Sequence, residues 1–141
     1  MILQYNLDTS HYKQEGMLLL GTSGQEAGQE INSHGNVDKI DEKNDCRGFV
    51  FSTTYINEFS MEKGRFYIYI NINDLNDTDK TTTEHELIHL TWSILDWVGV
   101  KVSAGNHEAF TYFYEHLLKQ IRTIIKTNTK QIAKTLLNNK H

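Results

Sequence analysis

Residues 81–98, TTTEHELIHLTWSILDWV, carry a regular helical pattern in the middle of the chain. The core-type positions recur at steps of three and four residues: Leu87, Leu90, Thr91, Ile94 and Val98. Thr81 and Thr83 each precede a glutamate by three residues, which is the spacing of a capping box. Gly99 has the position of a C′ glycine. We therefore predict a helix that starts near Thr81 and closes at Gly99.

Strand patterns precede this helix. Phe49–Phe51 lies between Gly48 and a serine, and Arg65–Asn71 is dense in aromatic and β-branched residues. The turn-type residues between them predict a β-hairpin. The apolar run Met17–Leu20 fits either a strand or a short helix, and the pattern does not decide. Residues 25–47 are predicted to form a loop that contains a short helix near Gln25–Ile31. Residues 71–79 are predicted to form a polar turn.

A second helix is predicted to start at Asn106, a good N-cap residue, and to run through Phe110, Phe113 and Leu117. The helical spacing continues into the tail, with a break at Thr127–Thr129. The expected fold class is α+β, with a small antiparallel β-sheet packed on two main helices and a C-terminal helical tail. Residues 1–118 are expected to form one domain, and residues 119–141 a basic helical tail that either belongs to it or is an appendage.

Charge divides the chain of 141 residues unevenly. The net charge is −4, but residues 119–141 hold six basic residues and no acidic one, which leaves 8 basic against 18 acidic residues before them. Such asymmetry predicts that the tail contacts an acidic partner, a virion-assembly partner or the acidic body itself, unless it is simply a solvated face. Cys46 is the single cysteine, so no internal disulfide is expected.

The start of the chain lacks the basic and long apolar segments of a signal peptide, and no apolar run is long enough to span a membrane. We therefore expect a cytoplasmic protein with no membrane partner; a phage-encoded protein would reside in the host cytoplasm or the virion. The basic tail lacks interleaved aromatic residues, which makes nucleic acid an unexpected partner.

The helix over residues 81–98 carries the clearest chemistry, His85-Glu86-Leu87-Ile88-His89. Residues four apart lie one turn above each other on a helix, so His85 and His89 can direct their imidazoles at one ion, and zinc accepts such nitrogens. Glu86 lies about 100° around the helix from His85, outside the natural ligand direction but within reach of a metal-bound water.

Glu108 is the predicted third ligand. Residues 90–107 separate it from His89, and two antiparallel helices with a short connector are expected to bring it back to the metal. We therefore predict one Zn²⁺ per chain, held by His85, His89 and Glu108.

This pattern resembles that of the gluzincins, the zinc peptidases of the thermolysin and aminopeptidase group, whose third ligand is a glutamate at about this distance. Asn106–Phe110 is similar to the Asn-Glu-Ala stretch around that glutamate, with one extra residue before it. The resemblance covers roughly residues 65–118 and implies a zincin-like core with Glu86 as general base. The chain also resembles small phage and prophage proteins with the pattern His-Glu…His…Ile-Leu…Gly-Val…Asn…Glu-Ala…Tyr.

The resemblance implies a metallopeptidase that hydrolyses peptide bonds with metal-activated water. Four candidates for stabilising the oxyanion stay open: His107, Tyr112, Tyr114 and His116. Of these, His107, which is next to Glu108, and Tyr112 are predicted to be catalytic residues. Gluzincins often have an aspartate at the position that Tyr112 occupies here. The Tyr112 hydroxyl is predicted to take over the role of that aspartate and to accept a hydrogen bond from the unliganded ring nitrogen of a ligand histidine. The strand around Tyr67–Ile70 is expected to be a sheet edge that binds an extended peptide or protein substrate.

Two alternatives remain beside the metallopeptidase. The first is a phage structural or assembly protein that keeps a zincin fold and its metal without significant proteolysis, which the small size of the chain supports. The second is a regulatory protease domain that cleaves a repressor in mobile elements, although the sequence shows no helix-turn-helix reader.

Overall fold

The computed structural model describes residues 1–34, 46–75 and 80–138, and these residues form one four-stranded sheet and four α-helices. The elements in chain order are β1 (Leu3–Leu7), β2 (Glu15–Gly21), α1 (Gly24–Ser33), β3 (Gly48–Ile56), β4 (Glu62–Asn71), α2 (Thr82–Trp97), α3 (His107–Thr127) and α4 (Thr129–Asn138). Most of the predicted loop before β3, part of the predicted turn before α2 and the last three residues of the tail lie outside the described residues.

The sheet has the strand order β1-β2-β4-β3, and it is mixed. The predicted hairpin is confirmed, because β3 and β4 pair antiparallel. The prediction of a purely antiparallel sheet is wrong, since β2 and β4 pair in parallel, with Leu18 opposite Ile68. The physical reason lies in β4, where every residue from Phe66 to Asn71 is buried. A strand buried on both faces belongs in the middle of a sheet, and here β4 lies between β2 and β3.

Burial also decides the ambiguous run Met17–Leu20, which lies within strand β2. Leu18 and Leu20 face α2 and α3, and together with Ile68 they belong to the main core. Leu19 faces the other way and packs in a second cluster with Ile31 of α1. The short helix predicted near Gln25–Ile31 is confirmed as α1. Consequently α1 covers one face of the sheet, and the helices that carry the candidate site cover the other.

Helix α2 matches the predicted helix, but its two ends differ in how well they follow the prediction. Gly99 has φ +80°; its N–H donates to the Asp96 carbonyl at 3.1 Å, and the Val100 N–H donates to the Leu95 carbonyl at 2.9 Å. These two bonds form the Schellman arrangement, which confirms the C′ prediction. The capping-box prediction is wrong, because Thr81 is the N-cap but makes no side-chain capping bond.

Helix α3 follows the predicted second helix, and the predicted break is confirmed at Asn128, between α3 and α4. Asn106 is the N-cap residue but does not cap, because its Oδ1 accepts from the Ser103 N–H at 2.7 Å, within the connector. Helix α4 packs back on the domain through the buried Ile132 and Thr135.

The start of α2 is fixed to the sheet by the buried carboxylate of Asp74. Its Oδ2 accepts from Arg47 Nε at 2.9 Å and from the Thr82 hydroxyl at 2.8 Å, and its Oδ1 accepts from Lys80 Nζ at 3.3 Å. Arg47 Nη2 also donates to the Thr82 hydroxyl at 2.8 Å, and the Arg47 carbonyl accepts from the Asn71 N–H at 2.8 Å. One carboxylate therefore joins the start of α2, the segment before β3 and the end of β4.

Burial by itself raises the pKa of Asp74, but the hydrogen bonds from Arg47, Thr82 and Lys80 outweigh it and hold the pKa below its usual range. A carboxyl group whose pKa is lower in the folded state stabilises the fold above its unfolded-state pKa of about 4. That contribution is lost as the pH falls through the folded-state pKa.

Replacing Asp74 with Asn should reduce the free energy of unfolding at neutral pH by about 1–3 kcal/mol, because the cations around a buried carboxylate lose their acceptor. The difference from wild type should shrink as the pH falls from about 4 through the lower folded-state pKa of Asp74, because the native carboxylate becomes protonated there. Urea unfolding across this pH range measures both effects, with Asp96→Asn on the exposed face of α2 as the matched control. A pH-independent deficit, or an equal deficit in the control, would refute this role.

Candidate metal and catalytic site

His85 and His89 lie side by side on the exposed face of α2. Their ring centroids are 4.9 Å apart and the rings are nearly perpendicular, at 73°. Both residues are exposed, and neither ring has a hydrogen-bond partner among the described residues. Both imidazoles therefore keep nitrogen lone pairs available to a cation. Two neutral imidazoles one helical turn apart are a donor pair that zinc and similar divalent metals accept.

Glu86 lies beside this pair and is turned towards the sheet. It is half-buried and lines a cleft of about 280 Å³ at the junction of α2 and β3. The cleft is lined by Arg47, Gly48, Thr81, Thr82, His85 and Glu86. The first histidine and the candidate base thus share one cleft, whose wall includes Arg47 from the network around Asp74.

Gly48 allows the close approach of α2 to the first residue of β3. A Cβ at this position would lie 2.8 Å from Glu86 Cγ, 2.9 Å from the Tyr69 carbonyl oxygen and 3.1 Å from Thr82 Cγ2. The carbonyl belongs to the central strand and cannot move aside, so any larger residue has to push α2 and Glu86 away from the sheet.

Gly48→Ala should therefore lower the free energy of unfolding by about 1–3 kcal/mol, the usual cost of overpacking. Gly105→Ala is the matched control, because its new Cβ would meet nothing closer than Ser103 Oγ at 3.9 Å. Denaturant unfolding of both variants measures the effect. Equal stability of the two variants would show that Gly48 is not needed for this contact.

Glu108 lies in the first turn of α3 on its exposed side. Phe113 of the same helix is buried, and the rings of Phe110 and Trp92 contact each other with their centroids 6.2 Å apart. This contact joins α3 to α2 at a residue two positions after Glu108. The structure does not bring its carboxylate together with the two imidazoles.

Residues 1–34, 46–75 and 80–138 contain no group of three His, Cys, Asp or Glu side chains arranged to hold a metal ion. The structure thus shows two of the three predicted ligands in contact and the third apart from them. The role of Glu108 as third ligand stays a prediction.

The candidates for the oxyanion stabiliser are spread over α3. His107 Nδ1 lies 3.1 Å from the Ala104 carbonyl oxygen, within the connector. Tyr112 is 66% exposed and lines a separate cavity with His11 and His116. Tyr114 stacks on Phe110, whose ring contacts Trp92 of α2.

Tyr114 therefore belongs to the side of α3 that packs on α2. Tyr112 and His116 do not belong to that side, because they line the separate cavity with His11. Burial raises the pKa of the Tyr114 hydroxyl, and the negative charge of Glu84 adds to this effect. The hydroxyl is consequently a neutral hydrogen-bond donor at ordinary pH. Sequence patterns alone gave no reason to prefer Tyr114, since that choice depends on how the two helices pack.

The expected substrate edge lies on a different strand. Tyr67–Ile70 is in β4, which pairs with β2 on one side and β3 on the other, so the prediction that it forms a sheet edge is wrong. Strand β3 is at the edge, and its first residue, Gly48, lines the cleft that contains Glu86. The hydrophobic density of Tyr67–Ile70 reflects burial on both faces rather than an exposed edge.

A second pair of histidines was not visible in the sequence pattern, because 104 residues separate its members. The ring centroids of His11 and His116 are 4.9 Å apart, as in the α2 pair. His116 Nε2 is already engaged, however, at 3.0 Å from the Asp8 carbonyl oxygen and at 3.0 Å from Gln120 Nε2. This pair connects α3 with the segment after β1, and it serves below as a control.

Another cleft, about 690 Å³ in volume, opens beside α1 on the opposite face of the sheet. Its polar side chains are largely paired with each other: Arg65 Nε donates to Glu15 at 2.8 Å, and the Tyr67 hydroxyl lies 3.3 Å from His34 Nδ1. None of the predicted metal ligands or catalytic residues lines it.

Comparisons of this chain with protein families, with curated proteins and with solved structures find no match. No helix within the described ranges has both the length and the apolar character that crossing a bilayer requires.

Proposed function

We propose that this chain is a zinc-dependent peptidase in which His85 and His89 hold the metal, Glu108 completes the ligand set and Glu86 is the general base. The observation that supports this most strongly is the pair of exposed imidazoles next to the cleft that contains Glu86. The donor set suits zinc, because two imidazoles and one carboxylate leave a fourth position for water.

Zinc held by these residues would supply Lewis-acid chemistry that makes a water molecule more acidic and polarises a carbonyl group. Glu86 then accepts the proton of the attacking water and returns it to the leaving amine. Its position one residue after His85, facing the cleft rather than the ligand direction, suits this role. Tyr114 is the proposed hydrogen-bond donor to the oxyanion, replacing His107 and Tyr112 in that role because of its place on the side of α3 that packs on α2.

Strand β3 is the proposed docking edge for an extended peptide. Its nine residues, GFVFSTTYI, carry no charge and no proline that would block pairing of its outer edge. A peptide that adds to this edge forms main-chain hydrogen bonds and passes the cleft at Gly48. This arrangement aligns a scissile bond with Glu86 without requiring a second domain.

The proposed ligand set requires the first turn of α3 to move, because Glu108 is not grouped with the two imidazoles among the described residues. Such a movement changes the contact between Phe110 and Trp92. Zinc titration should therefore change the fluorescence of Trp92, measured in a Trp97→Phe background. The change should be absent in His85→Asn and reduced in Glu108→Gln. An identical change in Glu108→Gln would remove Glu108 from the ligand set.

Elemental analysis and peptide cleavage test the proposal itself. The purified chain should hold one zinc per molecule, and His85→Asn or His89→Asn should lower its zinc affinity by roughly 10–100-fold or more, as loss of a direct ligand exceeds loss of a supporting contact. Glu86→Gln should keep the zinc and lose cleavage of a peptide library by at least about 100-fold, the usual contribution of a general base.

His116→Gln is the matched control, since it removes one imidazole of the other histidine pair. It should leave both zinc content and cleavage unchanged. Zinc lost in this control but kept in His85→Asn would place the metal elsewhere. Zinc held by His85 and His89 in a wild-type chain that cleaves no peptide would favour the assembly role over the peptidase.

A further inference from the structure

The basic residues near the C-terminus lie on the outward sides of two helices. The five within the described residues are all exposed: Lys119, Arg122, Lys126, Lys130 and Lys134. None of them forms an ion pair with a carboxylate of the described chain. Within the described residues the acidic side chains therefore do not neutralise these cations, and their charge is available to an external anionic partner.

Two of these cations stand at the rim of an apolar groove. The groove, about 250 Å³, lies between the start of α2 and the C-terminal half of α3. It is lined by Leu75, Thr83, Glu84, Leu118, Ile121, Arg122, Ile125 and Lys126. Leu75, Leu118 and Ile125 are only half-buried, so apolar surface remains open between charged walls.

The chemistry of the groove points to one kind of occupant. Half-buried aliphatic side chains favour apolar groups of a partner, and the exposed cations on the α3 wall favour carboxylates. Glu84 stands on the opposite wall and repels anions, so the carboxylates of a partner should lie on the α3 side. The groove offers no aromatic side chain on which a base can stack, which argues against nucleic acid.

We propose that this groove binds an acidic, amphipathic segment of a partner protein, with apolar side chains on Leu118 and Ile125 and carboxylates on Arg122 and Lys126. The site is independent of the metal chemistry proposed for His85 and His89. It also differs from a uniformly basic tail, because Lys130 and Lys134 on α4 do not line the groove.

Selection from a library of random displayed peptides tests the proposal with the full-length chain. The wild-type protein is the only bait, and the selection is run at physiological ionic strength. The enriched peptides should combine acidic with aliphatic residues. Their Kd, measured by fluorescence anisotropy, should rise roughly tenfold or more in Arg122→Glu/Lys126→Glu, because two favourable charge contacts become repulsive.

Lys130→Glu/Lys134→Glu is the matched control, with the same change in net charge outside the groove. It should change the Kd less than about twofold at this ionic strength, because distant surface charges are screened. Ile125→Thr should weaken binding without changing charge. Thermal unfolding of each variant verifies that it is folded.

Three results would overturn the proposal. The first is a selection that enriches no peptide, or only peptides without carboxylates. The second is an equal loss of affinity in the two double variants, which would indicate diffuse attraction to the whole basic surface. The third is displacement of the selected peptides by duplex DNA or by anionic vesicles, which would assign the surface to a different class of partner.

Discussion

The carboxylate of Asp74 accepts hydrogen bonds from three side chains in two chain segments, the one before β3 and the one that begins α2, and the position of α2 depends on it. Arg47 precedes the edge strand, Thr82 begins the helix, and Lys80 lies just before that helix. A buried carboxylate with these partners is stable only when all of them are in place, because an unpaired charge in that position is costly. The network therefore fixes both the starting point of α2 and its distance from the sheet.

The candidate site follows from this anchoring. The helix begins at Thr82, so one turn later it presents His85 and Glu86 at the cleft beside Gly48. The absent side chain of Gly48 lets Glu86 approach the start of β3, while the regular turn of the helix sets His89 above His85. A base, a pair of metal-type donors and the edge strand β3 of the described sheet thereby meet at one corner of that sheet. The groove near Arg122 lies elsewhere on the same two helices, which separates a surface for chemistry from a surface for recognition.

The local features of this fold were predictable, and the long-range features were not. Helix α2, its C′ glycine and the break at Asn128 follow from periodicity and from residues with specific backbone preferences. The parallel pairing of β2 with β4 depends on which strand is buried on both faces, a property of the assembled sheet. Thr81 and Asn106 have the right identity for side-chain caps, yet Thr81 makes no such bond and Asn106 binds its own connector.

The same distinction applies to the site. The spacing of His85, Glu86 and His89 predicts their relation, because all three share one helix. Glu108 is on another helix, and its distance from the imidazoles depends on the register set by Trp92 and Phe110. Residue spacing along the chain does not determine how two helices align with each other. The sequence therefore also gave no way to prefer Tyr114 over Tyr112. In the same way, the sequence shows that the tail is basic. Only the structure shows that Arg122 and Lys126 line the groove and that the lysines of α4 do not.

Anomalous scattering at the zinc edge, from crystals of the wild-type chain grown with zinc, tests the central claim most directly. We predict one strong peak between the imidazoles of His85 and His89, about 2.0–2.1 Å from a nitrogen of each ring, with the Glu108 carboxylate drawn into the coordination sphere. A peak at His11 and His116 instead, or no peak on α2 at saturating zinc, would contradict the account.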